Sequence, residues 1–462
     1  MAAFMTEPVN AEGGVRFWPA TDVGRVREAN EDSFLVDKKL NLYIVADGMG
    51  GHAAGEVASS MASRVVRDAI AAERDALTEF EQGHGGTTRK DILRLLEASV
   101  QQACSAVHAA GVADESKRGM GTTLDGLLII GNRGFIAHVG DSRIYLYRQG
   151  SVHQLTEDHS LINELLKRGK LTREQIDKVQ YKNAVTRAVG VYESVEPDVF
   201  DFDVLPGDRF LLCSDGLSGY LEESELQSLF EEIPEEKLTQ HLIDLANERG
   251  GKDNITAVVV RVPDDEKGVD KLTREVHLKL EILHQMPLFR FLTYQELVRV
   301  LNITDVRAYE PGAQVVAEGD DGDQLFVVLT GQVKVHSGST MIVELGPGQH
   351  FGEMALVDKA VRSASVTAVD QAKILHIKRR DFFDMVRKDH DVAVKLLWSF
   401  LGVLAKRLRN TSRELGEARE ALAAEDLSAE LLGEPTQRVD TAALEMAEGD
   451  PATRTTEPDL DG

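Results

Sequence analysis

NLYIVADGMGGHAAGEV, residues 41–57, decides how the N-terminal half must fold. Leu42, Tyr43, Ile44, Val45 and Ala46 form an unbroken apolar run of strand length, which reads as a buried strand ending at Asp47. Gly48, Gly50 and Gly51 follow, in a turn that only small residues can trace. Val57, Met61 and Val65 then recur every fourth residue, so the chain leaves as an amphipathic helix. A carboxylate is thereby held at a strand end beside bare backbone carbonyls, where a hard cation can be coordinated. Strand, Asp, glycine turn and helix occur in this order in many α/β proteins, so its meaning depends on the rest of the chain.

The pattern repeats. GMGTTLDGLLII (119–130) and NRGFIAHVGDSRIYLYRQGSVHQL (132–155) alternate short strands with Gly-Asn-Arg-Gly and Arg-Gln-Gly turns, an antiparallel meander that sets Asp141 at a strand end. Phe210, Leu211 and Leu212 run into Asp215 and Gly216, and Asp253 with Asn254 immediately precedes the apolar run ITAVVV. Before all of these, TDVGRVREANEDSFLV (21–36) brings Arg27 within five residues of Glu31 and Asp32, a set that reads equally as a solvated ion pair. If the four strand ends converge, their repulsion would be severe unless cations neutralise it, and oxygen-only ligands select Mg²⁺ or Mn²⁺ over zinc.

Residues 55–74 and 89–111 have helical periodicity, and EFEQGHGGTTRK (79–90) between them reads as a mobile polar loop. The charged stretch 157–183 is a helical excursion between strands that could overhang a site. At 462 residues the chain exceeds one hydrophobic core, so two or three domains are expected. A formal charge of −25 argues against nucleic acid and is compatible with binding cations. Two cysteines, Cys104 and Cys213, cannot build a disulfide framework and suggest a reducing compartment. The start lacks signal-peptide order, and no apolar run reaches the roughly 18 residues of a membrane span. No membrane contact and a cytoplasmic location are therefore expected.

DVGRVREANEDSF, VADGMGGHAAGE, GTTL, GDSRIYLYR, LLCSDGL and KDNITAVVV, in this order across residues 12–262, resemble the type 2C metal-dependent Ser/Thr protein phosphatases, especially the bacterial branch. The resemblance implies an α+β fold, an α-β-β-α sandwich of two antiparallel sheets flanked by helices, with a binuclear Mn²⁺ or Mg²⁺ centre at the sheets' edges. It implies that Asp47 bridges both ions, that Glu31 and the Gly48 carbonyl serve one, and that Asp215 and Asp253 serve the other. Asp32 would stand just behind them, Asp141 with Asp215 would hold a third ion, and Arg27 would grip the phosphate. Animal relatives place a histidine after the Asp-Gly pair, where this chain has Met49, so the leaving-group proton would come from His52 or from water. Phosphoproteins and a Ser/Thr kinase are the partners this implies.

Past Val262, residues 263–284 read as a solvated linker and a helix through Leu272, Val276, Leu280 and Leu283. From Val306 to Lys378, short strands and glycine turns predict a small antiparallel β-roll with flanking helices. Within it, FGEMAL and VRSASV combine a tight turn at Gly352, backbone N–H groups of Glu353, Met354 and Ala355, and the charge of Arg362, which together suit an anion. Residues 285–410 resemble the cyclic nucleotide-binding domain family. That resemblance implies Glu353 on a ribose hydroxyl, Arg362 on the phosphate, and Ser363 where Ala tends to accompany cAMP and Thr cGMP. Val361 replaces the family's usual Pro.

The last helix, with an extension at 411–432, carries Leu401, Leu408, Leu415 and Leu422 seven apart, a seam compatible with a homodimer and equally with packing on the chain's own roll. Residues 433–462 are acidic and polar, a composition that predicts disorder. The sequence thus predicts hydrolysis of phosphoserine and phosphothreonine in proteins under cyclic nucleotide control. The alternative is a non-catalytic, cyclic nucleotide-responsive adaptor that uses a phosphatase-like domain for docking.

Overall fold

The computed structural model describes residues 14–51, 53–172, 175–176, 184–264, 271–357 and 361–432. The expected strand is Leu42–Met49, and its first five residues are buried because neighbours cover both of its faces. It belongs to a six-stranded sheet, pairing with Asp32–Asp37 on one side and Leu124–Ile130 on the other; Arg133–Val139 and Asp198–Asp203 follow, and Gly121–Thr122 pairs beside its end. A second sheet of five strands has the order Arg16–Asp22, Ile255–Arg261, Arg209–Cys213, Arg143–Arg148, Ser151–Gln154. Every pairing in both is antiparallel.

Three apolar layers hold this half together. Tyr43, Val45, Ile136, Ile144, Phe210 and Val258 fill the space between the sheets. Helices Ala53–Ala72 and Arg89–Ala113 cover the first sheet through Ala58, Ala62, Val66, Leu96 and Val100, and Glu223–Glu232 with Glu235–Glu248 cover the second through Leu226, Phe230, Leu238 and Leu242. The order is helix, sheet, sheet, helix, the α+β sandwich that the motifs implied. One expectation needs correction: the polar loop 79–90 begins inside a helix, Arg74–Gln82. Leu77 and Phe80, three residues apart, place one face of that turn on the core, and Gly83 ends it at φ 64°.

Two four-stranded antiparallel sheets make the C-terminal roll, Thr304–Tyr309, Ala372–Lys378, Gln324–Thr330, His350–Phe351 and Gln314–Val316, Ser365–Ala368, Val333–Ser337, Thr340–Leu345. Val316, Phe326, Val328, Val366 and Ile374 pack between them. The helix Tyr294–Asn302 precedes the roll, and its Val298 joins the inter-sheet core of the N-terminal sandwich. Among the described residues, those up to Leu396 form one compact unit and those from Leu397 onward another. A helix runs His390–Leu432, with Leu401, Leu408, Leu415 and Leu422 each at least half exposed. No helix among the described residues is long and apolar enough to cross a membrane. The tail 433–462 lies outside the described residues.

Candidate active site

Strand register brings the first two carboxylates together, because Asp32 sits directly opposite Asp47 in the antiparallel pair. GTTL locks the Asp47 backbone from the side. Asp47 N–H donates to Thr123 Oγ1 at 2.8 Å, and Asp47 O accepts from Thr123 N–H and Thr122 Oγ1, each at 2.9 Å. Thr123 Oγ1 also meets Ser142 Oγ at 2.8 Å, which ties in the segment that carries Asp141. From the second sheet, Ser214 Oγ donates to Asp32 Oδ2 at 2.7 Å and accepts from Thr256 N–H at 3.0 Å. Ser214 thereby sets Asp215, the next residue, across from the Asp32–Asp47 pair.

Asn254 organises the remaining loop. Its Oδ1 accepts from Glu31 N–H at 2.8 Å, while its Nδ2 donates to Val23 O at 3.0 Å and Ala29 O at 2.9 Å. The loop carrying Arg27 and Glu31 is thus pinned beside Asp253. Gly48 N–H reaches Glu31 O at 3.2 Å, and a Cβ on Gly48 would stand 2.2 Å from Gly55 O, so only glycine permits this approach.

The electrostatics match the crowding. Burial pushes Asp32 up to about 7, and the nearby charges of Asp215 and Asp253 add to it. Asp47 is held well above the carboxylate range by burial and then by Asp32, Asp215, Asp141 and Asp253. Asp141 rises to about 7 through burial and then Asp215. Asp215 rises through burial and Asp253, against a side-chain hydrogen bond with Asp47. Five carboxyls, Asp32, Asp47, Asp141, Asp215 and Asp253, each from a different motif of the chain, therefore feel one another.

Among the described residues, no three His, Cys, Asp or Glu side chains are already closed around one ligand point. The donor set nevertheless fits a hard cation. Asp32 Oδ1 and Asp215 Oδ1 are buried with no hydrogen-bond partner among the described residues, and every candidate donor is oxygen. Cations are the groups that would relieve both the unmatched oxygens and the repulsion.

Arg27 Nη2 donates to Asp253 Oδ2 at 2.8 Å, and the pair is partly open to solvent. Asp141, Asp215 and Asp253 border one cleft of about 1340 Å³, and Ile162 and Leu166 of the helix Leu161–Lys167 line another side of it, in the excursion expected to overhang a site. His52 lies outside the described residues. Thr123, Ser214 and Asn254 lie within the GTTL, LLCSDGL and KDNITAVVV motifs, and the sequence alone does not reveal their positioning role. Their only local signal is a hydrogen-bonding side chain next to a strand-end carboxylate.

In the roll, Gly352 has φ 76°, and a Cβ there would meet Arg362 Nη1 at 2.6 Å. Arg362 Nη2 donates to Gln324 O at 2.9 Å, and its guanidinium lies 5.3 Å from the Phe326 ring centroid. Gly352 and Arg362 are thus neighbours, Glu353 and Ala355 are buried, and Met354 and Ser363 are exposed. Not all of the expected N–H donors are open. Ala355 N–H turns back to Gly352 O at 3.1 Å, because Met354–Val357 winds as one helical turn.

The chain matches the family model for protein phosphatase 2C over residues 25–258 and that for the cyclic nucleotide-binding domain over 306–389. It is 40% identical over 253 residues to the protein phosphatase PhpP of Streptococcus pneumoniae, covering 53% of this chain and 97% of that protein. It is 40% identical over 258 residues to the serine/threonine phosphatase stp of Listeria innocua, covering 54% and 97%. The solved catalytic domain of the serine threonine protein phosphatase PstP in complex with 2 manganese ions is 36% identical, with a TM-score of 0.46 over 54% of this chain and 99% of that one. The chain belongs to the protein phosphatase 2C family, and a cyclic nucleotide-binding domain follows its phosphatase domain.

Proposed function

We propose that the N-terminal half hydrolyses phosphoserine and phosphothreonine in proteins with Mn²⁺ or Mg²⁺, and that a cyclic nucleotide bound in the roll regulates it. One observation carries the reading: Asp141, Asp215 and Asp253 border a single cleft, with Arg27 hydrogen-bonded at its edge to Asp253. The names of the relatives, serine/threonine phosphatases, support the choice of substrate. In this reading Asp47 and the Gly48 carbonyl, with Glu31, hold one ion, and Asp47, Asp215 and Asp253 hold the second. Asp32 backs Asp47, and Asp141 with Asp215 takes a third. When bound, such ions supply positive charge and Lewis-acid activation for an in-line displacement at phosphorus.

The chain's own residues do the positioning. Arg27 presents a planar guanidinium suited to two phosphoryl oxygens, and Asp253 fixes its direction. Ser214 and Thr123 hold the backbone and carboxyl of the Asp32–Asp47 pair, so that the donors need little reorganisation. In the roll, Arg362 and the Gly352 turn take the cyclic phosphate of cAMP or cGMP, and Glu353 takes the ribose. The exposed leucine seam of the last helix is the surface for a homodimer.

Hydrolysis of p-nitrophenyl phosphate with Mn²⁺, beside Asp253→Asn, tests the enzymatic reading. Loss of most of the rate in the variant is expected, and an inert wild-type chain would leave the adaptor reading instead. The same assay with saturating cAMP or cGMP tests regulation; equal rates with and without nucleotide would remove that claim.

A further inference from the structure

We infer that the segment leading into the C-terminal roll builds part of the surface on which the phosphoprotein substrate lies, through Tyr294 and Gln295 at the start of the helix Tyr294–Asn302. This rests on the phosphatase reading of the cleft. Thr293, Tyr294 and Gln295 border the same cleft as Asp215 and Asp253, although they belong to the segment that leads into the roll.

The helix is fixed at both ends. At its start, Tyr294 OH accepts from Arg148 Nη1 at 3.0 Å, and its ring stacks on His153 with centroids 3.9 Å apart and planes at 13°. Arg148 is itself buried and forked onto Asp208, with Nε to Oδ1 at 2.8 Å and Nη2 to Oδ2 at 2.5 Å. At the other end, Asn302 Nδ2 donates to Asp201 O at 2.6 Å, and its Oδ1 accepts from Arg133 Nη2 at 3.1 Å. A segment tied to buried charged groups and seated in the inter-sheet core through Val298 is a wall of the cleft, not a passing loop.

Two observations point to a peptide as what the wall meets. The cleft, about 1340 Å³, is larger than the roughly 300–1,000 Å³ that small-molecule sites occupy, so a phosphorylated side chain alone would leave it mostly unfilled. Gln295 is 6% exposed, and its Nε2 is a buried donor with no partner among the described residues. A buried amide N–H without an acceptor is unfavourable. Gln295 borders the cleft, so a turn of its amide toward the opening lets a backbone carbonyl of an extended substrate segment supply that acceptor, which makes Gln295 a specificity-determining residue for the chain flanking the phosphoserine or phosphothreonine.

The full-length chain with Mn²⁺ is assayed on a ten-residue phosphoserine peptide and on p-nitrophenyl phosphate, for wild type, Gln295→Met and Gln295→Glu. The ratio of peptide to p-nitrophenyl phosphate kcat/KM should fall about fivefold in Gln295→Met, through peptide KM, and further in Gln295→Glu, where an acceptor replaces the donor. A ratio unchanged in both variants, or a loss shared equally by the two substrates, overturns the inference. A wild-type chain that hydrolyses neither substrate overturns the phosphatase reading instead. Urea melts of the variants identify any loss that comes from unfolding, and Gln295→Met, which keeps the side chain's length, guards against it.

Discussion

Arg27 and Asp253, 226 positions apart, meet in a hydrogen bond of 2.8 Å from Nη2 to Oδ2. The bond holds the guanidinium above its ordinary value, with Glu31 and Asp47 adding to the effect. A group that stays charged and is aimed by a carboxylate of the cleft serves phosphate better than a free surface arginine would. Arg27→Ala should therefore lower kcat/KM for p-nitrophenyl phosphate. A hydrogen bond to a charged group contributes about 1.5–3 kcal/mol, which corresponds to roughly 10–150-fold. Arg27→Lys should recover little of this, because an ammonium cannot make the planar two-oxygen contact. Steady-state rates at fixed Mn²⁺ check both.

Asn254 makes three hydrogen bonds to the loop that carries Arg27 and Glu31. Asn254→Ala leaves Glu31 N–H and two carbonyls without this partner, and each buried polar group stranded in this way costs about 1–3 kcal/mol. The expected outcome is a lower urea midpoint together with a weaker apparent affinity for Mn²⁺, since the loop carries Glu31. Asn254→Asp keeps the acceptor for Glu31 N–H, loses both donors and adds charge, so it should not restore Mn²⁺ affinity to the wild-type value. Equilibrium unfolding and Mn²⁺ titration of activity measure the two effects separately.

Much of this centre was legible because each part is local. An apolar run ending in Asp appears at Asp47 and Asp215, and a glycine that admits close approach announces itself in the sequence as Gly48. Their convergence was legible only through the order of the motifs, since register such as Asp32 opposite Asp47 is set by strand pairing. The helix Arg74–Gln82 was missed because its last turn is written in glycine-flanked polar residues, although Leu77 and Phe80 carry its apolar face. Tyr294 gave no sign of its place. Its partners Arg148 and His153 lie more than a hundred residues earlier, and nothing in YQELVRVLN distinguishes a wall of the cleft from an ordinary amphipathic helix.

Proton competition should govern cation binding. Burial and neighbouring carboxylates put Asp32 and Asp141 at about 7, above the ordinary 3.8. The folded, metal-free chain therefore keeps protons on them that the unfolded chain has released. Between about pH 4 and pH 7 the folded state binds more protons, so this part of the stability falls as pH rises through that window. A cation displaces the same protons, so its apparent affinity rises over the upper part of the window, roughly tenfold per pH unit for each proton displaced, and levels off above it. Mn²⁺ titrations followed by thermal shift at pH 6, 7 and 8 should show the rise and then the plateau. An affinity that is flat from pH 6 to 7 would contradict the buried carboxyl cluster.

Gly352 and Arg362 make the nucleotide site testable without the phosphatase assay. A methyl group at Gly352 would sit 2.6 Å from Arg362 Nη1, on a backbone at φ 76° that side chains rarely adopt. Gly352→Ala should therefore push the guanidinium aside and strain the turn, while Arg362→Gln removes the charge and leaves the turn intact. Calorimetry with cAMP and with cGMP should show binding to the wild-type chain and a loss of at least about tenfold in Arg362→Gln, the scale of one charge-assisted contact to phosphate. Gly352→Ala should lose affinity too, and its roll should also melt earlier. If Arg362→Gln binds nucleotide as tightly as wild type, Arg362 serves Gln324 and Phe326 as a structural cation, and the phosphate is held elsewhere or not at all.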